Sequence, residues 1–464
     1  MKNNQIYILL LIYSIIATTT IVLFEGTGGS GDSIHHYLFA KFAPLHPKLF
    51  FNHWAKPLYV LLTSPFAQFG FIGVKTFNAT VSMFTVFFTF KIAQKLNIKN
   101  AIFSSIFLLF SPLYFTLTFS GLTEPLFALF ISIGIYTILV DKPVISCILI
   151  SFLPFIRSEG LIIIGVFSLY FFLKKEWKLI PLLLVGHVVY SIAGFFVYND
   201  LFWVFNKIPY AHLSSTYGSG KLSHFVVKLM YVIGVPIYLL FWIGVPVVIY
   251  KSIKKRISFE IKTLVFIGFF GFFIAHSLFW YLGIFNSMGL KRVLISVAPL
   301  ISIISLIGFN FVTEELFRGK RIVNLILKGF LIFYTLIFPF TSNPAAINWD
   351  KDLNLSKDQK AAFKIADFIN ERRDSNQRFI FAHPFLSEAL KIDHFNDEKR
   401  VELTKDFITK TKSGDIVIWE NWFAVVERGV TKEDLDANSH LTSLHNLSFW
   451  DNGREVKYAV YEIK

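Results

Sequence analysis

Apolar runs recur at intervals of about 20 to 30 residues through residues 1–341, each closed by a short polar or charged stretch, the rhythm that membrane-crossing helices require. The pattern predicts eleven spans, near 6–24, 74–94, 100–119, 121–140, 143–156, 158–173, 179–198, 225–250, 263–285, 293–312 and 322–341. Pro57–Phe69 is too short to cross and reads as a re-entrant or interfacial helix. In the polar loop 25–56, Ile34, Tyr37, Leu38 and Phe42 recur at helical spacing, so Ser33–Ala43 is predicted to lie on the membrane surface with one apolar face down. After Asn343-Pro344 the pattern changes to that of a soluble domain. Ala361, Ile365, Phe368 and Ile369 share one side of a helix over Asp358–Arg372, and Arg378–Ala382, Asp415–Trp419 and Tyr458–Glu462 alternate as short strands. The expected fold class is an all-α polytopic membrane domain over 1–341, followed by a small α/β domain over 350–464.

Composition agrees with this reading. Of 464 residues, 54% are hydrophobic and 18% aromatic, too apolar for a soluble multidomain protein. The net charge of +14 is unevenly placed: residues 1–349 carry +17 (27 basic less 10 acidic), while 350–464 carry −3 (18 less 21). A basic excess confined to the apolar part speaks for membrane topology, not for nucleic acid as a partner. Lys91/Lys95/Lys99, Lys174/Lys175/Lys178, Lys251/Lys254/Lys255/Arg256 and Arg318/Lys320/Arg321 fall on alternate connections, which the positive-inside rule places in the cytoplasm. One tilted span over 143–173 would put Lys174, Lys175 and Lys178 outside, so two short spans meeting at Arg157 fit better. The N-terminus is then cytoplasmic, and the expected location is the plasma (inner) membrane, multi-pass, with the tail outside. Ile6–Phe24 reads as an uncleaved first span and not a signal peptide, because no small-residue cleavage site follows it. The lone Cys147 excludes disulfides and cysteine-based metal sites.

With this topology the outer face receives loop 25–56, the turns 120–124, 157–160 and 286–292, and the long loop 199–224. Asp32, Lys56, Glu124, Arg157, Glu159, Lys291 and Arg292 all sit at helix ends on that face. Charges in a hydrocarbon-compatible segment are costly, and their gathering on one face suggests a single site. Asp32 or Ser33 is equally suited to cap the helix that follows the glycine run 26–31. Arg157, Glu124 and Glu159 are also open to a purely structural reading as ion pairs at helix ends. His35, His36, His46 and His53 crowd the same loop at spacings matching no standard zinc pattern, and hydrogen-bonding histidines are the better reading.

Several of these residues resemble one family. Gly31-Asp32 with Tyr37 and Ala40 is similar to the first-loop signature of the GT-C glycosyltransferases, which include protein O-mannosyltransferases and lipid A aminoarabinose transferases. Lys56-Pro57-Leu58-Tyr59 resembles the Lys-Pro-Pro-Leu-Tyr pattern after that loop. Thr123-Glu124-Pro125-Leu126 resembles the Ser/Thr-Glu-Pro turn, and Arg157-Ser158-Glu159-Gly160 the Arg-x-Glu-Gly turn. Gly289-Leu290-Lys291-Arg292 through Pro299 resembles the family's Gly-x-x-Arg-Tyr…Pro helix start. The likeness runs over most of 6–341. It departs in two places: Asp32-Ser33 stands where many relatives carry two acidic residues, and one proline of the Lys-Pro-Pro-Leu pattern is missing.

The resemblance implies a transferase that takes a sugar from a polyprenyl-phosphate carrier and gives it to an extracytoplasmic protein, lipid or glycan. The residues fit that chemistry on their own terms. A carboxylate that deprotonates an acceptor hydroxyl is the minimum for direct glycosyl displacement, and Asp32 is the expected base. The leaving lipid phosphate gains negative charge, which Lys56, Arg157, Arg292 or Lys291 would stabilise. Glu124 and Glu159, with Tyr37 and His53, are expected to orient substrate or the cations. No cofactor is indicated, although some GT-C enzymes use a divalent ion and that alternative stays open. Two rival readings are a secondary transporter and a non-catalytic binder of lipid-linked glycans. The absence of an internal repeat and the placing of charges at helix ends weigh against the transporter. The tail, with no catalytic motif, is expected to be structural, acceptor-binding or an assembly surface. His383-Pro384 and Glu420-Asn421-Trp422 within it read as turn and packing residues.

Overall fold

The computed structural model describes residues 4–29, 31–210, 214–372, 377–451 and 453–464; Ser30 of the glycine-rich run lies outside the described residues. The membrane part is built from helices. Its elements are α1 (Asn4–Leu23), α2 (Asp32–Phe42), α3 (Pro57–Ala67), α4 (Phe71–Lys95), α5 (Ile102–Leu109), α6 (Pro112–Thr118), α7 (Glu124–Leu139), α8 (Pro143–Ser151) and α9 (Gly160–Leu173). They continue as α10 (Val185–Tyr198), α11 (Trp203–Asn206), α12 (His224–Ile233), α13 (Val235–Ile253), α14 (Gly268–Leu282), α15 (Ala298–Asn310) and α16 (Arg321–Ile337). Seven helical segments are long and apolar enough to cross a bilayer: Asn4–Leu23, Phe71–Lys95, Trp177–Tyr198, Val235–Ile253, Ile261–Leu282, Lys291–Glu315 and Arg321–Phe340.

The remaining expected spans are shorter or broken. Residues 100–119 divide into α5 and α6 at Ser111-Pro112, where proline has no N–H to continue the ladder and its ring excludes the preceding residue from helical geometry. Residues 225–250 divide at Gly234, whose φ of +78° breaks the helix between α12 and α13. α8 and α9 are separate helices that meet at the turn Arg157-Ser158-Glu159, as the charge pattern predicts.

Lys291–Glu315 runs through the centre, and every residue of α15 is buried. α13 approaches it closely because Gly244 and Gly308 leave no side chain between them: a Cβ on Gly308 would lie 2.0 Å from the Leu240 carbonyl oxygen. α16 and α1 lie at the periphery with most of their apolar surface exposed, as lipid-facing helices do.

The C-terminal unit follows α17 (Trp349–Asp352). α18 (Lys357–Asn370) starts on a capping box, Ser356 accepting from the Gln359 amide while Gln359 accepts from that of Ser356. Then come β1 (Phe379–Phe381), α19 (Phe385–Ala389), β2 (Arg400–Glu402), β3 (Ile416–Glu420), α20 (Lys432–Asp436), β4 (Leu441–Asp451) and β5 (Arg454–Ile463). The sheet order is β2-β1-β3-β5-β4, with β1 parallel to β2 and β3, and β5 antiparallel to β3 and β4. Strands β1, β3 and β5 match the predicted ones; β2, three residues long, and β4, where Leu447 and Phe449 alternate with the exposed Asn446 and Ser448, were not among the predicted strands. His383 is fully buried and bonds Asp358 at 2.8 Å, while Glu420 accepts the amides of Trp422 and Ala424, so both are packing residues.

One expectation is corrected by packing. α2 does not lie with its apolar face on lipid. Ile34, Tyr37 and Leu38 enter one hydrophobic cluster with Phe385, Leu386 and Ala389 of the C-terminal unit, so that unit covers the face meant for the membrane. Lys41 pairs with Glu388 at 2.9 Å, His46 with Asp393 at 2.8 Å, and Gly26 donates to the Leu353 carbonyl at 2.7 Å. The first loop is thus clamped between membrane helices and sheet, which fixes where Asp32 stands.

Candidate active site

Four helix starts converge on one cavity of about 430 Å³. Asp32 is the first residue of α2. Gly31, not Asp32, occupies the cap position and gives no side-chain bond, so the Asp32 carboxylate does not cap the helix. Lys56 precedes Pro57 at the start of α3 with φ 68° and ψ 92°, a left-handed backbone that a non-glycine residue holds only when its surroundings enforce it. Arg157 and Glu159 form the turn before α9, and Arg292 opens the segment that becomes α15.

Their charges alternate along a continuous chain. Arg292 pairs with Asp32 on one side and approaches Glu124 with its Nε at 3.4 Å on the other. Glu124 in turn meets Arg157 at 2.8 Å, and Arg157 reaches Glu159 at 2.9 Å and the Thr123 hydroxyl at 3.2 Å. Lys56 donates to the Ser158 hydroxyl at 2.9 Å. Glu124 is 0% exposed and lies beneath the cavity, holding both guanidinium groups; neither of its oxygens meets hydrogen-bond geometry. Arg157 Nε and Arg292 Nε are also buried with no hydrogen-bond partner among the described residues. These Nε groups face the buried side of the network, where Arg292 Nε approaches Glu124, and not the cavity.

Electrostatics sharpen the picture. Burial of Asp32 works against its charge, but the Arg292 guanidinium outweighs it and holds the carboxyl below its usual value. Its side chain is still 45% exposed to the cavity. Burial pushes Lys56 down to about 8, partly opposed by Glu159. His36 is pushed down to about 3, chiefly by burial, so it is neutral; its Nδ1 donates to the Ala55 carbonyl at 3.2 Å and its ring stacks on Trp54.

Of the residues expected here, Asp32, Lys56, Arg157, Glu159 and Arg292 line the cavity. Lys291 does not: its ammonium lies over the Tyr231 ring, 5.7 Å from the centroid. Tyr37 points into the C-terminal unit and donates to Glu388 at 3.1 Å. His53 is buried edge-on against Trp203, with Nε2 at 3.0 Å from the Val204 carbonyl. Trp54, Tyr210, Tyr217 and His276 line the cavity without having been singled out, and so does His36, expected only as a hydrogen-bonding histidine. A lone histidine inside an apolar run is a signal in itself, and His276, 3.8 Å from Glu159, was legible that way. Tyr210 and Tyr217 come from the long loop, whose path no pattern reveals.

One side of the cavity is apolar and open: Leu161 is 46% exposed, Phe285 46% and Met288 38%. The rim also meets the C-terminal unit, where Tyr217 donates to Glu427 at 2.5 Å. Each carboxylate is engaged by a guanidinium, and among the described residues no three His, Cys, Asp or Glu side chains come together as metal ligands.

No protein-family model and no curated protein matches the chain. Among solved structures, that of ArnT from Cupriavidus metallidurans in the apo state aligns with a TM-score of 0.64, over 99% of this chain and 98% of that one. The fold is that of ArnT. At 10% sequence identity the likeness to ArnT is one of architecture, and it extends through the C-terminal unit as well as the helices.

Proposed function

We propose that this protein is an integral membrane glycosyltransferase that moves a sugar from a polyprenyl-phosphate carrier to a hydroxyl on an acceptor at the outer side of the inner membrane. The observation that carries the reading is the set of three cations, Lys56, Arg157 and Arg292, that lines one cavity beside Asp32, under an exposed apolar lip. A carrier of this class has an anionic phosphate and a long hydrocarbon chain, and the two halves of the cavity suit them in turn. The ArnT-type fold supports the same class.

In the reaction the acceptor oxygen attacks the anomeric carbon and its proton passes to Asp32. The bond from that carbon to the phosphate oxygen breaks, and polyprenyl phosphate leaves with the electron pair, its charge met by Lys56, Arg157 and Arg292. Arg292 has two tasks. At rest it holds Asp32 at low basicity; a donor phosphate that engages Arg292 would loosen that hold and make Asp32 a better base when substrate is in place. Glu124 is a positioning residue that fixes the spacing of the two guanidinium groups. The C-terminal unit beside the rim is the surface on which a protein, lipid or glycan acceptor would approach.

The test is transfer by the full chain in lipid nanodiscs, supplied with a panel of radiolabelled polyprenyl-phosphate sugars and envelope acceptors. Label appearing on an acceptor with release of polyprenyl phosphate supports the proposal. Turnover of a soluble nucleotide sugar without lipid carrier would overturn it, and movement of an intact lipid-linked sugar across the bilayer would point to a transporter.

A further inference from the structure

The segment Lys291–Glu315 ends far from the catalytic cavity. At about 1.5 Å per residue, Glu314 lies roughly 33 Å from Arg292, close to the thickness of a bilayer's hydrocarbon core. A second cavity of about 730 Å³ opens there, lined by Lys99, Lys251, Arg256 and Arg318 against only Glu314 and Glu315. It adjoins a groove of about 570 Å³ whose other wall is apolar, formed by Trp242, Ile243, Pro246, Val247 and Tyr250, and the two share Lys251, Arg256, Phe311 and Glu315.

The ion pairs in this region leave charge over. Glu314 is taken by Lys99 at 3.3 Å, Lys328 at 3.9 Å and the Asn100 amide at 3.1 Å, and Glu315 by Lys251 at 2.5 Å. Among the described residues, Arg256 and Arg318 have no carboxylate partner. The walls carry two π-helical stretches, Ile261–Ile267 and Phe311–Glu315, a rare form found frequently at functional sites. Trp242 Nε1 is buried in the groove wall with no hydrogen-bond partner among the described residues, and Pro246 has no N–H for the Trp242 carbonyl. A basic pocket that continues into an apolar groove between membrane helices matches the two halves of one ligand class.

We infer that this end of the bundle binds an anionic phospholipid of the adjacent leaflet, its phosphate between Arg256, Lys251 and Arg318 and an acyl chain along the groove beside Trp242. The positive-inside expectation assigns this end to the cytoplasmic leaflet, where anionic lipids give such a pocket its ligand. The inference does not depend on sugar transfer.

The test is native mass spectrometry of the full chain, purified in detergent and offered phosphatidylglycerol or phosphatidylcholine with the same acyl chains. Phosphatidylglycerol is expected to remain bound and phosphatidylcholine not. The double variant Arg256→Gln/Arg318→Gln should lower phosphatidylglycerol occupancy by about 10-fold or more, since each cation near a lipid surface contributes about 1 kcal/mol. Lys254→Gln/Lys255→Gln removes the same charge outside the cavity lining and should leave occupancy near normal. Equal retention of both lipids, unchanged occupancy in the arginine variant, or an equal loss in the lysine variant would each overturn the inference. Displacement by millimolar inorganic phosphate would overturn it too, in favour of a free-anion site. If the arginine variant does not fold, the two-lipid comparison on the natural chain decides alone.

Discussion

The two ends of the Lys291–Glu315 segment carry networks built from the same residue types, yet they differ in depth. At the catalytic-cavity end, Arg292 joins a chain from Asp32 through Glu124 and Arg157 to Glu159, with Glu124 wholly buried and the guanidinium groups 14% and 22% exposed. At the far end, Glu314 and Glu315 meet lysines whose side chains are 25% to 76% exposed. In water the far-end pairs are screened and contribute little. In the buried chain each charge depends on its neighbours, because removing one leaves another uncompensated at low dielectric. Depth, not the number of ion pairs, separates a network in which each charge depends on its neighbours from one whose pairs can be removed singly at little cost.

The largest effect expected from that contrast is at Glu124. Glu124→Gln keeps the volume but leaves two buried guanidinium groups facing each other, so the chain should lose about 3–5 kcal/mol of stability, with the site. Thermal unfolding in detergent measures it; a midpoint unchanged from the natural chain would mean that Glu124 is not the keystone. Asp32→Asn comes next and separates chemistry from structure. The variant should stay folded and in the membrane while transfer falls about 10²- to 10⁴-fold, the usual loss for a general base. Because Asp32 does not cap α2, an amide there costs the helix little. Near-normal turnover would remove Asp32 as the base and move attention to Glu159.

How much of this was legible in the chain follows the same division by depth. The apolar rhythm and alternating basic loops marked the helical segments, because burial in lipid imposes one requirement on every residue of a span. The strands β1, β3 and β5 were legible because their central positions are apolar and β-branched or aromatic. Asp32, Lys56, Arg157 and Arg292 stood out because a charge at the end of an apolar run needs a reason. Tyr37 and His53 were chosen from the same loop, but the chain does not say that the C-terminal unit covers α2 and draws Tyr37 away, or that Trp203 folds over His53. Lys291 and Arg292 are adjacent, and only the register of the turn at Leu290 decides which one faces the cavity. Trp54, Tyr210 and Tyr217 belong to loops that are shaped by tertiary contacts and carry no period.

A smaller effect is expected from Lys56 and pH. Burial holds its ammonium at about 8. Below that pH the proton is present and the cavity offers a third cation to the donor phosphate; as pH rises through about 8 the charge is lost. The KM for the lipid-linked donor should therefore climb on the alkaline side, with kcat less affected. Lys56→Arg keeps its charge at all these pH values and should flatten the climb, even if its bulkier fork binds the donor less well. A donor KM as steep in Lys56→Arg as in the natural chain would assign the titration to another group.

The smallest effect belongs at the far end. Glu314 is 31% exposed, and its partner Lys99 is 76% exposed, so Glu314→Gln should change stability by no more than about 1 kcal/mol. The glutamine still accepts from Asn100 and Lys99, which limits the loss further. Transfer activity should be unaltered, because the reacting groups lie across the bilayer thickness. If the far end holds an anionic phospholipid, removing this carboxylate also frees Lys99 and Lys328, and phosphatidylglycerol occupancy should rise. A loss of stability as large as that of Glu124→Gln would mean that burial does not distinguish the two networks, and the contrast between the two ends would fail.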